Sequence, residues 1–158
     1  MSGRRILIVD DDPASCELVA YFLKWLGYRV ATAADGSRAL NMDLEDDIEL
    51  VILDAHMDVY DGVEVLERLR EKPFVRRIKF LALSADESLS LREEVEAAGI
   101  DGFLTKPVDL TALREVVTRL IPGDAQGESH LLRMLRHQGL EHLFDSASPD
   151  PRANLERN

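Results

Sequence analysis

"ELVILD", residues 49–54, carries four consecutive apolar residues and then stops on a carboxylate. Leu50, Val51, Ile52 and Leu53 give this short run no polar side. It reads as a β-strand covered on both faces, the pattern of a parallel sheet rather than a half-exposed one. The strand then ends on Asp54, and the longer stretch "LVILDAHMDVYDG" (50–62) adds Asp58 and Asp61 in the loop that follows. An acid at the end of a buried strand asks for a chemical reason.

On either side, apolar runs alternate with helical patterns. "RRILIVD" (4–10) is a first strand, and Asp12-Pro13 reads as an N-cap with proline at the first helical position. Leu18, Val19, Phe22, Leu23 and Leu26 mark one helix face, and Gly27 sits where a helix end takes a left-handed residue. "YRVATA" (28–33) is a second strand, and Asp35 caps a second helix with Ala39, Leu40 and Leu44. After strand 49–54, Val63, Leu66 and Leu69 mark a third helix ending near Pro73. "IKFLALS" (78–84) is a fourth strand, and residues 86–98 read as a polar helix anchored by Leu89, Val95 and Ala98 and closed by Gly99. "IDGFLT" (100–105) is a fifth strand, and Asp109 caps a last helix carrying Leu110, Leu113, Val116, Val117 and Leu120.

Five β–α units with doubly apolar strands predict an α/β fold, an open doubly wound parallel sheet with helices on both faces. After Pro122-Gly123 the character changes. Residues 123–128 read as a linker and 129–145 as a helical extension, with Gly139 bending or splitting it. Residues 146–158 read as a disordered tail.

The chain has 158 residues and a formal net charge of −11, with 46% hydrophobic and 31% charged residues. That suits one domain with a modest extension. The negative field opposes phosphate backbones and anionic lipid surfaces, so neither nucleic acid nor membrane is an expected partner. Arg76, Arg77 and Lys79 are too short a basic spot to change this. The single cysteine, Cys16, falls in the first helical pattern and reads as a small core residue. One cysteine forms no disulfide within a chain, no apolar stretch reaches a membrane span, and the N-terminus lacks a signal-peptide pattern. The expected compartment is the cytoplasm.

In a doubly wound sheet, ligands sit outside the carboxyl ends of the strands. The first strand delivers Asp10, Asp11 and Asp12 there, the third Asp54, the fourth Ser84, and the fifth Lys106 just beyond its end. Clustered carboxylates stay ionised beside a cation, and oxygen ligands suit Mg²⁺. Lysine and a hydroxyl opposite suit phosphate. Together these groups match phosphoryl transfer with an aspartate as nucleophile. Taken singly, Asp12 is a cap, Asp61-Gly62 an ordinary turn, Ser84 a strand-end hydroxyl and Lys106-Pro107 a loop; the joint placement raises the reading above these.

"ILIVDDDP", "VILDAHMDVYDG", "LALSAD" and "FLTKPVD" resemble, in order and spacing, the blocks of the response-regulator receiver domains of two-component signalling. The resemblance covers about residues 4–121 and assigns 1–122 to the receiver. It implies a flavodoxin-like five-stranded sheet in the order 2-1-3-4-5. It implies that Asp54 accepts a phosphoryl group from a histidine kinase or a histidine phosphotransfer protein. Asp10, Asp11, Asp54 and the backbone carbonyl of His56 would surround Mg²⁺, with Asp11 and Asp54 as direct ligands and Mn²⁺ as an acceptable substitute. Ser84 and Lys106 would bind the phosphoryl group, Ser84 and Phe103 would form the switch, and Pro107 would follow a cis peptide bond. His56 and Asp86 would tune the lifetime of the acyl phosphate. Such a chain is a phosphoacceptor rather than an enzyme with a separate substrate.

Two positions depart from the family. Asp58 stands where a proline often follows Met57, and the switch aromatic is Phe103 rather than tyrosine. About 37 residues follow the receiver, too few for a large output domain. The expected output is therefore protein–protein. It would act through the α4–β5–α5 face or the 129–144 stripe, toward a downstream target or a second copy in a homodimer. His130, His137 and His142 lack the spacing of a metal site on one helix face. An aspartyl phosphatase is disfavoured because His56 occupies the place of its second acid. A flavin carrier is disfavoured because "DDDPAS" is acidic where phosphate would bind.

Overall fold

Every strand pair in the sheet is parallel, as doubly apolar strands require. The computed structural model describes residues 5–42, 44, 48–57, 61–72, 78–122 and 138–139. The strands are β1 (Arg5–Val9), β2 (Arg29–Ala33), β3 (Ile48–Asp54), β4 (Lys79–Ser84) and β5 (Gly102–Thr105). Between and after them run α1 (Pro13–Trp25), α2 (Gly36–Asn41), α3 (Gly62–Arg70), α4 (Leu89–Ala97) and α5 (Leu110–Leu120). The sheet order is β2-β1-β3-β4-β5, as the resemblance implies.

The alternation of β3 divides the core. Leu50 and Ile52 pack with Val19 and Leu23 of α1 and with Leu113 and Val117 of α5. Val51 and Leu53 pack with Ala39 of α2 and with Val65, Leu66 and Leu69 of α3 on the other side. Leu91 and Val95 of α4 join Ala55 and Val63 on that second side. All strands run one way and each crossover helix runs back. The carboxyl ends of β1, β3, β4 and β5 therefore share one edge with the helix N-termini.

The expected caps Asp12, Asp35 and Asp109 form, each accepting from a backbone N–H of the first helical turn. Asp61, in the expected turn, caps α3 in the same way. Gly27 (φ 98°) and Gly99 (φ 91°) take the left-handed conformation that follows α1 and α4.

Four expectations need correction. α4 starts at Leu89, not at 86, because Ser88 is its N-cap. That start places Leu91 and Val95 inward at i and i+4, and leaves the expected anchor Leu89 70% exposed. In α1 the buried stripe is Cys16, Val19, Ala20 and Leu23, which turns Leu18 outward at 50% exposure. β5 begins at Gly102 rather than 100, since Asp101 uses its backbone N–H on Phe80 O and its carboxylate on Phe80 N. α2 ends at Asn41, so Leu44 lies beyond the helix it was expected to carry, though it is still buried. α3 ends at Arg70, near Pro73 as expected; Pro73 itself lies outside the described residues, as do Asp58, Arg76, Arg77, the three histidines after residue 129 and most of the C-terminal extension. Gly139 is described, in a turn with φ 68°, where the sequence expects a bend or break.

Candidate functional site

Asp10 follows β1 directly, its backbone N–H bonded to Ala33 O of β2. Its side chain is buried, with Oδ1 accepting from Asp12 N at 2.9 Å. Asp54 ends β3, paired in register with Leu83 of β4. It is also buried, and its Oδ1 accepts from His56 N at 3.0 Å. Asp11 is half-buried beside them. Carboxylate oxygens of Asp10, Asp11 and Asp54 all lie within 4.8 Å of one another.

Lys106 reaches this group from just past β5. Its backbone N–H bonds Ser84 O, continuing the β4–β5 ladder by one residue. Its Nζ lies 2.9 Å from Asp10 Oδ2 and 3.2 Å from Asp54 Oδ2. Ser84 is fully buried at the end of β4, and its Oγ accepts from Asp86 N at 3.0 Å. The Lys106–Pro107 peptide is cis. Phe103 is half-buried against the α3–α4 side, with the Arg92 guanidinium 5.7 Å from its ring centroid.

The electrostatics follow from burial and crowding. Burial, reinforced by the Asp10 charge, pushes the Asp54 carboxyl above its ordinary range; the His56 N–H and Lys106 offset this only in part. Burial also works against the Lys106 charge, but its hydrogen bond to Asp10 and the charges of Asp54 and Asp10 outweigh it, so its pKa rises. Lys106 stays a cation, holding two acids together. The Asp86 carboxyl is held below its usual range, first by the Ser88 N–H and hydroxyl and then by His56. Cys16 packs in the core nearby, where burial and then the Asp10 charge push its thiol up.

The donor set fits a hard divalent cation. It is oxygen-only, rich in carboxylate and close enough to share one ion, and it carries more negative charge than one lysine neutralises. The Asp cluster is thus positioned to coordinate a divalent metal. Asp10, Asp11, Asp54 and Lys106, which the sequence assigned to one sheet edge, meet there. Asp12 instead turns to cap α1, its Oδ1 accepting from Ala14 N at 3.1 Å, and Ser84 ends the neighbouring strand with its O bonded by Lys106 N. His56 and Asp86 also meet, Nε2 to Oδ2 at 3.5 Å, which their sequence separation did not announce.

In the sequence Gly62 reads as part of an ordinary turn; the structure gives it a stricter role. A Cβ there would lie 2.4 Å from Asp54 O and 2.7 Å from Ala55 Cα. Its N–H bonds Ala55 O at 3.2 Å. The start of α3 therefore presses on the backbone that carries Asp54. The signal in the sequence was a glycine right after the capping Asp61, eight residues past the strand-end acid.

Comparison with known proteins agrees with this geometry. Residues 6–118 match the family described as the response regulator receiver domain. The chain is 39% identical over 129 residues to the response regulator MprA of Mycolicibacterium vanbaalenii, covering 79% of this chain and 55% of that protein. It spans about half the length of the curated relatives it matches. Among solved structures, the chemotaxis protein CheY4 of Vibrio cholerae is similar at TM-score 0.72 and 29% identity, covering 76% of this chain and all of that one. The receiver domain of the sensor histidine kinase PA1611 of Pseudomonas aeruginosa, solved with a magnesium ion coordinated in its active-site cleft, is similar at TM-score 0.67 and 30% identity over 77% of this chain and all of that one. The matched span, the sheet order and the acidic cluster agree, and the chain belongs to the response regulator receiver domain family.

Proposed function

We propose that Asp54 is the phosphoryl acceptor of a signalling switch, charged by a histidine kinase or a histidine phosphotransfer protein. The observation that carries this reading is the meeting of Asp10, Asp11 and Asp54 around Lys106 at one sheet edge. An Asp54 carboxylate oxygen forms the new O–P bond as the donor's N–P bond breaks, and the donor imidazole leaves with a proton from solvent. Asp10, Asp11, Asp54 and the His56 carbonyl would hold Mg²⁺, which neutralises charge on the phosphoryl oxygens when bound.

The other residues act on what arrives. Lys106 exchanges an Asp54 oxygen for a phosphoryl oxygen, and Ser84 donates its hydroxyl to another. Drawing Ser84 and Lys106 toward the phosphoryl group pulls on the ends of β4 and β5. Phe103, on β5 three residues before Lys106, is the side chain we take to change its packing. The two-state change then reads out on the α4–β5–α5 face, toward a protein target or a second copy. The cytoplasm is the compartment this reading assumes; among the described residues no helix is long and apolar enough to cross a membrane.

The test is incubation of the full chain with Mg²⁺ and acetyl phosphate, read by intact mass, with Asp54→Asn as control. The expected result is one phosphoryl group on the wild type and none on the variant. Label on Asp54→Asn, or none on either, overturns the assignment.

A further inference from the structure

Helix α1 buries one stripe and exposes another. Leu18 and Tyr21, at 50% and 74% exposure, lie outward with Trp25, at 39%, at i, i+3 and i+7. Half-buried Phe22 stacks on Trp25, ring centroids 6.1 Å apart. Three of the four exposed large apolar residues in the described part of the chain are on this helix; the fourth, Leu89, stands alone on α4. Single exposed apolar residues are ordinary, but a contiguous stripe marks an interaction surface. None of these residues contributes to the acidic site.

The path of the chain indicates what covers the stripe. α1 and α5 lie on the same side of the sheet, and both run back from its carboxyl edge, so their C-terminal ends are neighbours. Leu120 and Ile121 share one apolar cluster with Leu23, Leu26 and Tyr28 at the end of α1. The chain therefore leaves α5 beside the Trp25 end of the stripe. Residues 122–128 span at most about 24 Å when extended, and the 13 residues of α1 rise about 20 Å. The next segment, 129–144, carries Leu131, Leu132 and Leu135 at helical spacing before the turn at Gly139. A helix this short is marginal in water without a surface to bury its apolar side.

We propose that the 129–144 segment of this chain folds back along the outward stripe of α1, seating Leu131, Leu132 and Leu135 against Leu18, Tyr21 and Trp25. The α4–β5–α5 face offers only Leu89 as an exposed large apolar group, so the stripe on α1 is the better match in area and in reach. The cover is intrachain, and it does not depend on the phosphoryl chemistry proposed above.

Trp25 is the chain's single tryptophan and reports directly on its cover. The full-length wild type is compared with Leu132→Asp/Leu135→Asp and with Leu18→Asp/Tyr21→Asp. Circular dichroism confirms folding, and light scattering gives the mass. The expected wild type is a monomer. In the first variant Trp25 emission shifts to the red and acrylamide quenches it more strongly. In both variants trypsin cuts at Arg133 and Arg136 about tenfold faster, the change that about 1.4 kcal/mol of docking produces. Three outcomes overturn the proposal. One is equal Trp25 quenching in wild type and the first variant. Another is protection that disappears on dilution with loss of a dimer, which makes a second copy the occupant. The last is unchanged cleavage in Leu18→Asp/Tyr21→Asp, which places the segment elsewhere.

Discussion

His56 Nε2 lies 3.5 Å from Asp86 Oδ2, joining the loop after β3 to the loop after β4 beside the buried Asp54 and Ser84. Each residue stands two positions beyond a strand-end group of the site. Both side chains are exposed, so solvent screens the pair and it contributes little to stability. Its effect belongs to access rather than to stability. If Asp54 carries the phosphoryl group as proposed, losing the pair frees the two loops and gives water readier access to the acyl phosphate. His56→Ala and Asp86→Ala are each expected to speed loss of the phosphoryl group by a few-fold at most. The double variant should be no faster than the faster single one. Decay of phosphorylated protein after donor removal measures this, and additive effects would show that the pair does not act as a unit.

Asp54 is a carboxylate held where burial disfavours its charge. The sign follows. Its folded pKa is raised, so the stabilising contribution is present below the ordinary carboxylate range and is lost as pH rises through the folded value. At neutral pH without a divalent cation the ionised group costs stability. Asp54→Asn should therefore melt at higher temperature than the wild type in chelator. Mg²⁺ should raise the wild-type Tm more than that of the variant, because the variant has lost a carboxylate ligand. Thermal melts with EDTA and with Mg²⁺ check both signs. A variant less stable than wild type in chelator would show that the Asp54 charge is fully compensated by Lys106.

Lys106 bridges two buried acids at 2.9 and 3.2 Å. Removing one member of a buried ion cluster leaves the others uncompensated, at a cost approaching ~3 kcal/mol. Lys106→Ala should lose stability of that order in chelator and recover part of it with Mg²⁺, which supplies positive charge to the same acids. Urea unfolding under both conditions reads this directly. The variant should still accept a phosphoryl group from acetyl phosphate, since Asp54 is intact, yet fail to pass the change to Phe103. Normal activated-state fluorescence or partner binding in phosphorylated Lys106→Ala would remove the lysine from the switch.

Much of this was legible because the responsible signals are local. The doubly apolar β3 run announced a covered parallel sheet, and Asp12, Asp35 and Asp109 announced their helices. Asp10, Asp54, Ser84 and Lys106 were placed together because each ends a strand and the topology puts those ends on one edge. What was not legible depends on phase or on distance. Leu18 and Leu89 were assigned inward because both lie in leucine-containing helical runs with more than one possible apolar face. The position of the cap, Ser88 in α4, fixes which face turns in. The approach of α3 to β3 at Gly62 lies between backbones, and no side-chain pattern records it.

Gly62 supplies the last prediction. Its φ is unremarkable, so the constraint is space rather than conformation. A methyl group would meet Asp54 O and Ala55 Cα, backbone atoms with no rotamer to yield. Gly62→Ala must therefore push the start of α3 away from the end of β3, or push Asp54 itself. Overpacking of this kind costs about 1–3 kcal/mol. The displaced backbone also carries the Asp54 carboxylate and the His56 carbonyl, so divalent-cation affinity should fall along with stability. A surface substitution of equal thermodynamic cost on α3, such as Glu67→Gly in the exposed interior of the helix, should destabilise without weakening Mg²⁺ binding. Mg²⁺ titrations of the two variants, matched by urea denaturation, separate a positioning role from a packing one. Equal Mg²⁺ affinity in both would reduce Gly62 to a packing residue.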